Sequence, residues 1–222
     1  MRRYFNTEGL CDPNLHYMVR LDDRLKKIKA LFIDRGKYFV INRGRQYGKT
    51  TTIRALEEYL KEDYLVISMD FQEIGTDEFR NEMAFSRAFA EILLRVFEKI
   101  YTENAREAQV PLSGLRENKG NLYLRELFVW LSEICEKVSK PIVLMIDEVD
   151  SASNNQVFLD FLALLRRYYL GRGNMPTFHS VILAGVYDIK NLKLKIRPEE
   201  EHKYNSPWNI AADFDINMSL SA

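Results

Sequence analysis

A glycine-lysine-threonine triplet, Gly48-Lys49-Thr50, and an acidic pair, Asp147-Glu148, are the places where residue type and order could support chemistry. A triphosphate presents several anionic oxygens. It is matched by consecutive backbone N–H groups that end at a helix N-terminus, where the peptide dipoles also favour negative charge. Gly48 would let the backbone come close without a Cβ in the way. Lys49 would place an ammonium against the outer phosphates, and Thr50 would offer its hydroxyl to a magnesium ion. The stretch expected to cradle the nucleotide comprises Gly44, Arg45, Gln46, Tyr47, Gly48, Lys49, Thr50 and Thr51. The usual spacing GxxxxGK[ST] would put its first glycine at position 43. Arg43 stands there and Gly44 follows one place later, so the loop is expected to enter its turn differently. Arg43 and Arg45 either add positive potential beside the phosphates or are simply solvated.

The acidic pair closes the run PIVLMIDEVD, residues 141–150. Carboxylates at the end of a buried strand are costly unless a cation compensates them. Magnesium is the natural partner: Asp147, with Thr50, is expected to hold the metal, and Glu148 to polarise the water that attacks the γ-phosphate. Lys49 and Glu148 are thus the candidate catalytic residues. A base for water also argues against a nucleotide kinase. The competing assignment makes Asp147 a strand terminus and Glu148 a cap of the next turn. Asp150 would orient the loop.

These residues need a scaffold that brings both sequences to one edge. Short apolar runs read as buried strands at residues 37–42, 64–71, 141–147 and 178–185, and the intervening segments 21–35, 49–62, 77–101, 122–137 and 155–170 read as helices. In the last, Phe158, Phe161, Leu162, Leu165 and Tyr169 recur at helical spacing and define one apolar face. Strands apolar on both faces alternating with amphipathic helices predict an α/β fold, a parallel central sheet covered by helices on both faces in three layers. Residues 104–121, with Pro111, Gly114 and Gly120, read as a mobile excursion from the core. Residues 208–221 turn apolar after a polar stretch and are expected to supply an edge strand.

With 222 residues, 46% of them hydrophobic, the chain can bury one sizeable core, and a single domain over residues 1–222 is expected, 1–36 as an N-terminal segment near the nucleotide and 37–222 as the core. Lys plus Arg (32) equal Asp plus Glu (32), which excludes a global field for nucleic acid or a membrane surface; any basic patch must be local. Cys11 and Cys135 form no metal-binding spacing and read as free thiols of a reducing compartment. No stretch approaches the ~18 apolar residues needed to cross a bilayer, so a cytoplasmic location is expected and no membrane partner.

The opening YFNTEGLCDPNLHYMV, the loop YFVINRGRQYGKTTT, the acidic IDEVD and the late AGVYDIKNLK together resemble the bacterial AAA-like ATPases, P-loop NTPases related to the signalling ATPases with numerous domains. The resemblance covers nearly the whole chain. It implies that Arg43 is a family feature and that His16, Tyr17, Met18 and Val19 lie near the adenine, with Tyr17 the candidate contact; packing of Tyr17 and Val19 in the core is the alternative. It further implies a polar sensor of the γ-phosphate at Asp188 or Asn191 and an arginine finger at Arg166 or Arg167 for a neighbouring subunit. His16 is expected to be structural. Members often continue into further domains, so a protein partner or downstream domain and an oligomer are open. With no helical lid after Ala222, weak ATP binding by the isolated chain is expected.

Three functions compete at this stage. The first is an ATPase using ATP and magnesium, the second a slow or inactive nucleotide-binding switch, the third a DNA-associated defence or mobile-element ATPase. Balanced charge gives the last little support, and nucleic-acid binding stays undecided.

Overall fold

The computed structural model describes residues 4, 15–17, 20–42, 48–100, 106–152, 155–185 and 208–216. In chain order its regular elements are α1 (Asp22–Ile28), β1 (Tyr38–Asn42), α2 (Lys49–Leu60), β2 (Leu65–Asp70), α3 (Glu82–Lys99), α4 (Gln109–Glu117), α5 (Leu124–Lys137), β3 (Ile142–Asp147), α6 (Gln156–Leu170) and β4 (Ser180–Gly185). A π-helical turn, Lys29–Ile33, continues α1.

The four strands form one parallel sheet in the order β1-β4-β3-β2. Side chains alternate across a strand, and here both sets are buried. Tyr38, Val40, Leu144, Ile146, Val181 and Leu183 join the core under α3, α5 and α6. Their neighbours Phe39, Ile41, Val143, Met145, Ile182 and Ala184 join a second core under α1 and α2. That double burial is why the strands read as unbroken apolar runs, and it gives the three-layer α/β architecture expected from sequence.

Along α6, Phe158, Phe161, Leu162 and Leu165 are fully buried, and Tyr169 packs on Tyr38 with ring centroids 4.4 Å apart. The expected helix from residue 77 begins later. Thr76–Phe79 is a 3-10 turn, and Asn81 opens α3 by accepting the Ala84 N–H at 2.9 Å.

The expectation of an excursion over residues 104–121 is corrected by α4. Pro111 lies in its first turn, where its missing N–H has no intrahelical partner to lose. Gly114 is a contact and not a break: a Cβ there would stand 2.4 Å from Cη2 of Trp130 on α5, so α4 and α5 meet this closely only because the side chain is absent. Residues 101–105 lie outside the described set.

On the free edge of β1, Phe39 forms a parallel bridge with Ala212, whose N–H donates to the Tyr38 carbonyl at 2.8 Å. Trp208 is fully buried beside Tyr38, and Phe214 stacks on Phe39. In place of the expected edge strand over residues 208–221, residues 208–216 meet the sheet edge through one bridge among the described residues, and residues 217–221 lie outside the described set.

Candidate functional site

Strand parity decides which side chains meet. In β3, Val143, Met145 and Asp147 point to the face covered by α2; in β2, Val66 and Asp70 do the same. Asp147 therefore reaches the α2 N-terminus from the C-terminal end of the sheet, the end where open α/β sheets form their ligand crevice.

At the head of α2, Gly48 adopts φ 69°, ψ 27°, a left-handed conformation open to glycine without strain. Lys49 begins the helix and is buried, while Thr50 and Thr51 are half-buried. The Thr50 hydroxyl hydrogen-bonds the Asp147 carboxylate, and Lys49 acts on Asp147 and Glu148 as a favourable charge. The Glu148 N–H donates to Asp147 Oδ1 at 2.9 Å.

Burial pushes the Asp147 carboxyl above the ordinary carboxylate range, and Asp70 adds to the shift; the Glu148 amide, Thr50 and Lys49 oppose it. Glu148 is raised too, first by burial, then by Asp147, with Lys49 opposing and Asp150 and Asp70 adding. Both acids hold protons more tightly than free carboxyls because burial penalises their charge and neighbouring carboxylates add to it, with Lys49 the described cation that opposes both effects. Added positive charge is what this edge would welcome.

Glu148 carries φ 53°, left-handed for a residue with a Cβ, a geometry that costs about 1–2 kcal/mol. The acidic turn continues as the 3-10 segment Val149–Ala152, against the end of β4. A Cβ on Gly185 would stand 3.0 Å from both Asp150 Oδ1 and Val149 Cγ2. A bare α-carbon is what lets this turn close on the sheet.

Fold comparison places the chain beside the Walker-type ATPase PABY2304 of Pyrococcus abyssi, with a TM-score of 0.59 and 16% identity over 88% of this chain and 52% of that one. The ORC2 protein of Aeropyrum pernix, solved in ADPNP–ADP complexes, matches with a TM-score of 0.48 and 16% identity over 86% of this chain and 48% of that one. The chain thus spans about half the length of these two structures. No curated protein sequence matches it. The family model of the AAA-like domain matches residues 14–191. This chain belongs to that AAA-like family.

In this AAA-like domain the structure brings Lys49, Thr50, Asp147 and Glu148 together from two sequence-distant segments. Residues 43–47, which include Arg43, Gly44, Arg45, Gln46 and Tyr47, lie outside the described residues, as do Met18, Val19, Asp188 and Asn191. Tyr17 is exposed and its N–H donates to the Tyr4 carbonyl at 2.9 Å. His16 is buried edge-on against Tyr4, consistent with a structural histidine. Arg166 is engaged by its Nε with Asn209 Oδ1 at 2.9 Å, while Arg167 is exposed. His179, hydrogen-bonded at 2.7 Å to the Ile33 carbonyl and stacked on Tyr64, lies at the opposite end of the strands.

Sequence reasoning missed Asp70. It ends β2 in register with Asp147 and, through Oδ1, accepts the Gln72 N–H at 2.8 Å. The signal was present: an acid closing an apolar run, as Asp147 does. Arg24 was missed as well; its guanidinium reaches Thr52 Oγ1 at 3.5 Å and is partly withdrawn from water, which lowers its pKa. Among the described residues no three His, Cys, Asp or Glu side chains form a metal cage, and none of the helices is long and apolar enough to cross a membrane.

Proposed function

We propose that this AAA-like domain binds ATP with magnesium at residues 44–51 and hydrolyses it with Glu148. The observation that carries the proposal is the hydrogen bond between the Thr50 hydroxyl and the Asp147 carboxylate, with the Lys49 charge beside both acids. A hydroxyl and a carboxylate oxygen directed at each other are the two protein ligands a small hard cation takes when phosphate oxygens and water complete its shell.

In this mechanism Lys49 neutralises the outer phosphates and is held in place by its burial. Thr50 and Asp147 would hold the metal, which when bound would supply charge neutralisation on the transferred phosphoryl group. Glu148 accepts a proton from water in the hydrolytic step. Tyr17 is retained as a candidate base contact, and residues 1–222 as one domain. Turnover would be the source of conformational change, passed to a protein partner or a further domain in the cytoplasm.

The experiment is phosphate release by purified protein with ATP and magnesium, alongside Lys49→Ala and Glu148→Gln. Steady release that depends on both residues supports hydrolysis. Retention of ATP without turnover would replace it with a nucleotide-held switch, and absence of binding would remove the function altogether.

A further inference from the structure

Glu148 is, among the described residues, the one non-glycine position with positive φ; Gly36 and Gly48 take theirs without a Cβ. A left-handed residue turns its own carbonyl out of the strand direction. Here that carbonyl is gripped twice from three residues on: the Ser151 N–H donates to it at 3.1 Å and the Ser151 hydroxyl at 2.9 Å. The hydroxyl also lies 3.2 Å from the Phe71 carbonyl, the first residue after β2. Phe71 opens the 3-10 turn Phe71–Glu73, which Asp70 caps through the Gln72 N–H. One serine hydroxyl therefore ties the ends of β2 and β3 at the point where the chain is strained.

We propose that Ser151 is a positioning residue for the reaction: its hydroxyl, shared between the Glu148 and Phe71 carbonyls, holds Glu148 left-handed and so fixes where the Glu148 carboxylate stands. This rests on Glu148 acting on the attacking water. A side chain leaves the backbone along the Cα–Cβ bond, so a change of φ at residue 148 swings the whole carboxylate. Relaxation toward an ordinary conformation would move the base without touching the residues that hold the phosphates. Ser151 itself is exposed, and its loss removes a hydroxyl from the surface and not from a core. An ordinary turn serine would satisfy the same carbonyl with no consequence for turnover.

The test compares Ser151→Ala and Ser151→Thr with the parent in the full chain. Phosphate release is measured with ATP and magnesium, and affinity with a non-hydrolysable ATP analogue and magnesium. Ser151→Ala is expected to lower kcat by about tenfold or more with the analogue Kd unchanged, and Ser151→Thr, which restores the hydroxyl, to recover most of the rate. Turnover of Ser151→Ala equal to the parent's overturns the proposal, and so does a loss of affinity that matches the loss of rate. If the parent releases no phosphate, the hydrolytic function fails separately and the clasp is read from crystal structures of the parent and Ser151→Ala. Glu148 leaving positive φ in the variant then supports the hold of Ser151 on the Glu148 backbone, and Glu148 unchanged overturns it.

Discussion

Asp70 and Asp147 face each other in register at the ends of neighbouring parallel strands, both on the side of the sheet covered by α2. Burial raises the proton affinity of Asp147, Asp70 adds to that rise, and Lys49 is the described cation that opposes it. Much of the site's behaviour follows from acids buried together with little opposing charge among the described residues.

Lys49→Ala removes that opposing charge and the ammonium assigned to the phosphates. Affinity for ATP with magnesium, measured by calorimetry, is expected to fall at least about tenfold, or ~1.4 kcal/mol, with the circular dichroism spectrum unchanged.

Glu148→Gln keeps the size of the side chain and takes away its basicity. Binding should persist while turnover drops by a factor on the order of a hundred or more; equal turnover in variant and parent would end the role given to Glu148.

The raised acids also predict a pH dependence of the unliganded fold. In the unfolded chain Asp147 and Glu148 titrate near 3.8 and 4.5, and in the folded chain both do so higher. Above the unfolded values the native state binds more protons, so stability linked to these groups is fully present in acid and is lost as pH rises through the folded values. Asp147→Asn should flatten that decline in urea unfolding followed between about pH 4 and pH 7. An identical slope in the variant would show that Asp147 is not strained by its burial.

Asp70 has two separable duties, capping Gln72 and contributing charge. Asp70→Ala should cost about 1 kcal/mol in urea unfolding through loss of the cap, whereas Asp70→Asn, which retains an accepting oxygen, should cost only a few tenths.

Gly114→Ala opposes two effects. Alanine is favoured in a helix by about 1 kcal/mol, but its Cβ would overlap the rigid Trp130 indole, 2.4 Å away. Overpacking of this kind costs about 1–3 kcal/mol, so the variant is expected to melt below the parent.

The strands were legible because burial on both faces leaves a period-free apolar run, and α6 because its buried stripe repeats at helical spacing. Lys49, Thr50, Asp147 and Glu148 were legible because their residue types and order name a chemistry. α4 was not: Pro111 and Gly114 carry breaker signals, and only the first-turn position of one and the Trp130 contact of the other explain them. Asp70 escaped for a related reason, since its importance lies in the pairing of β2 with β3, which a linear pattern does not show. The left-handed backbone of Glu148 is likewise a product of the turn that follows it.

Between β1, which leads to Gly48, and β3, which carries Asp147, the sheet inserts β4. Strands in a sheet are ~4.8 Å apart, so the axes of these two stand roughly 9–10 Å apart. These two strand ends are thus held like the jaws of a fixed-gauge caliper, whose opening is set by the backbone hydrogen bonds that β4 makes to each. Widening that gap would require breaking the ladder itself.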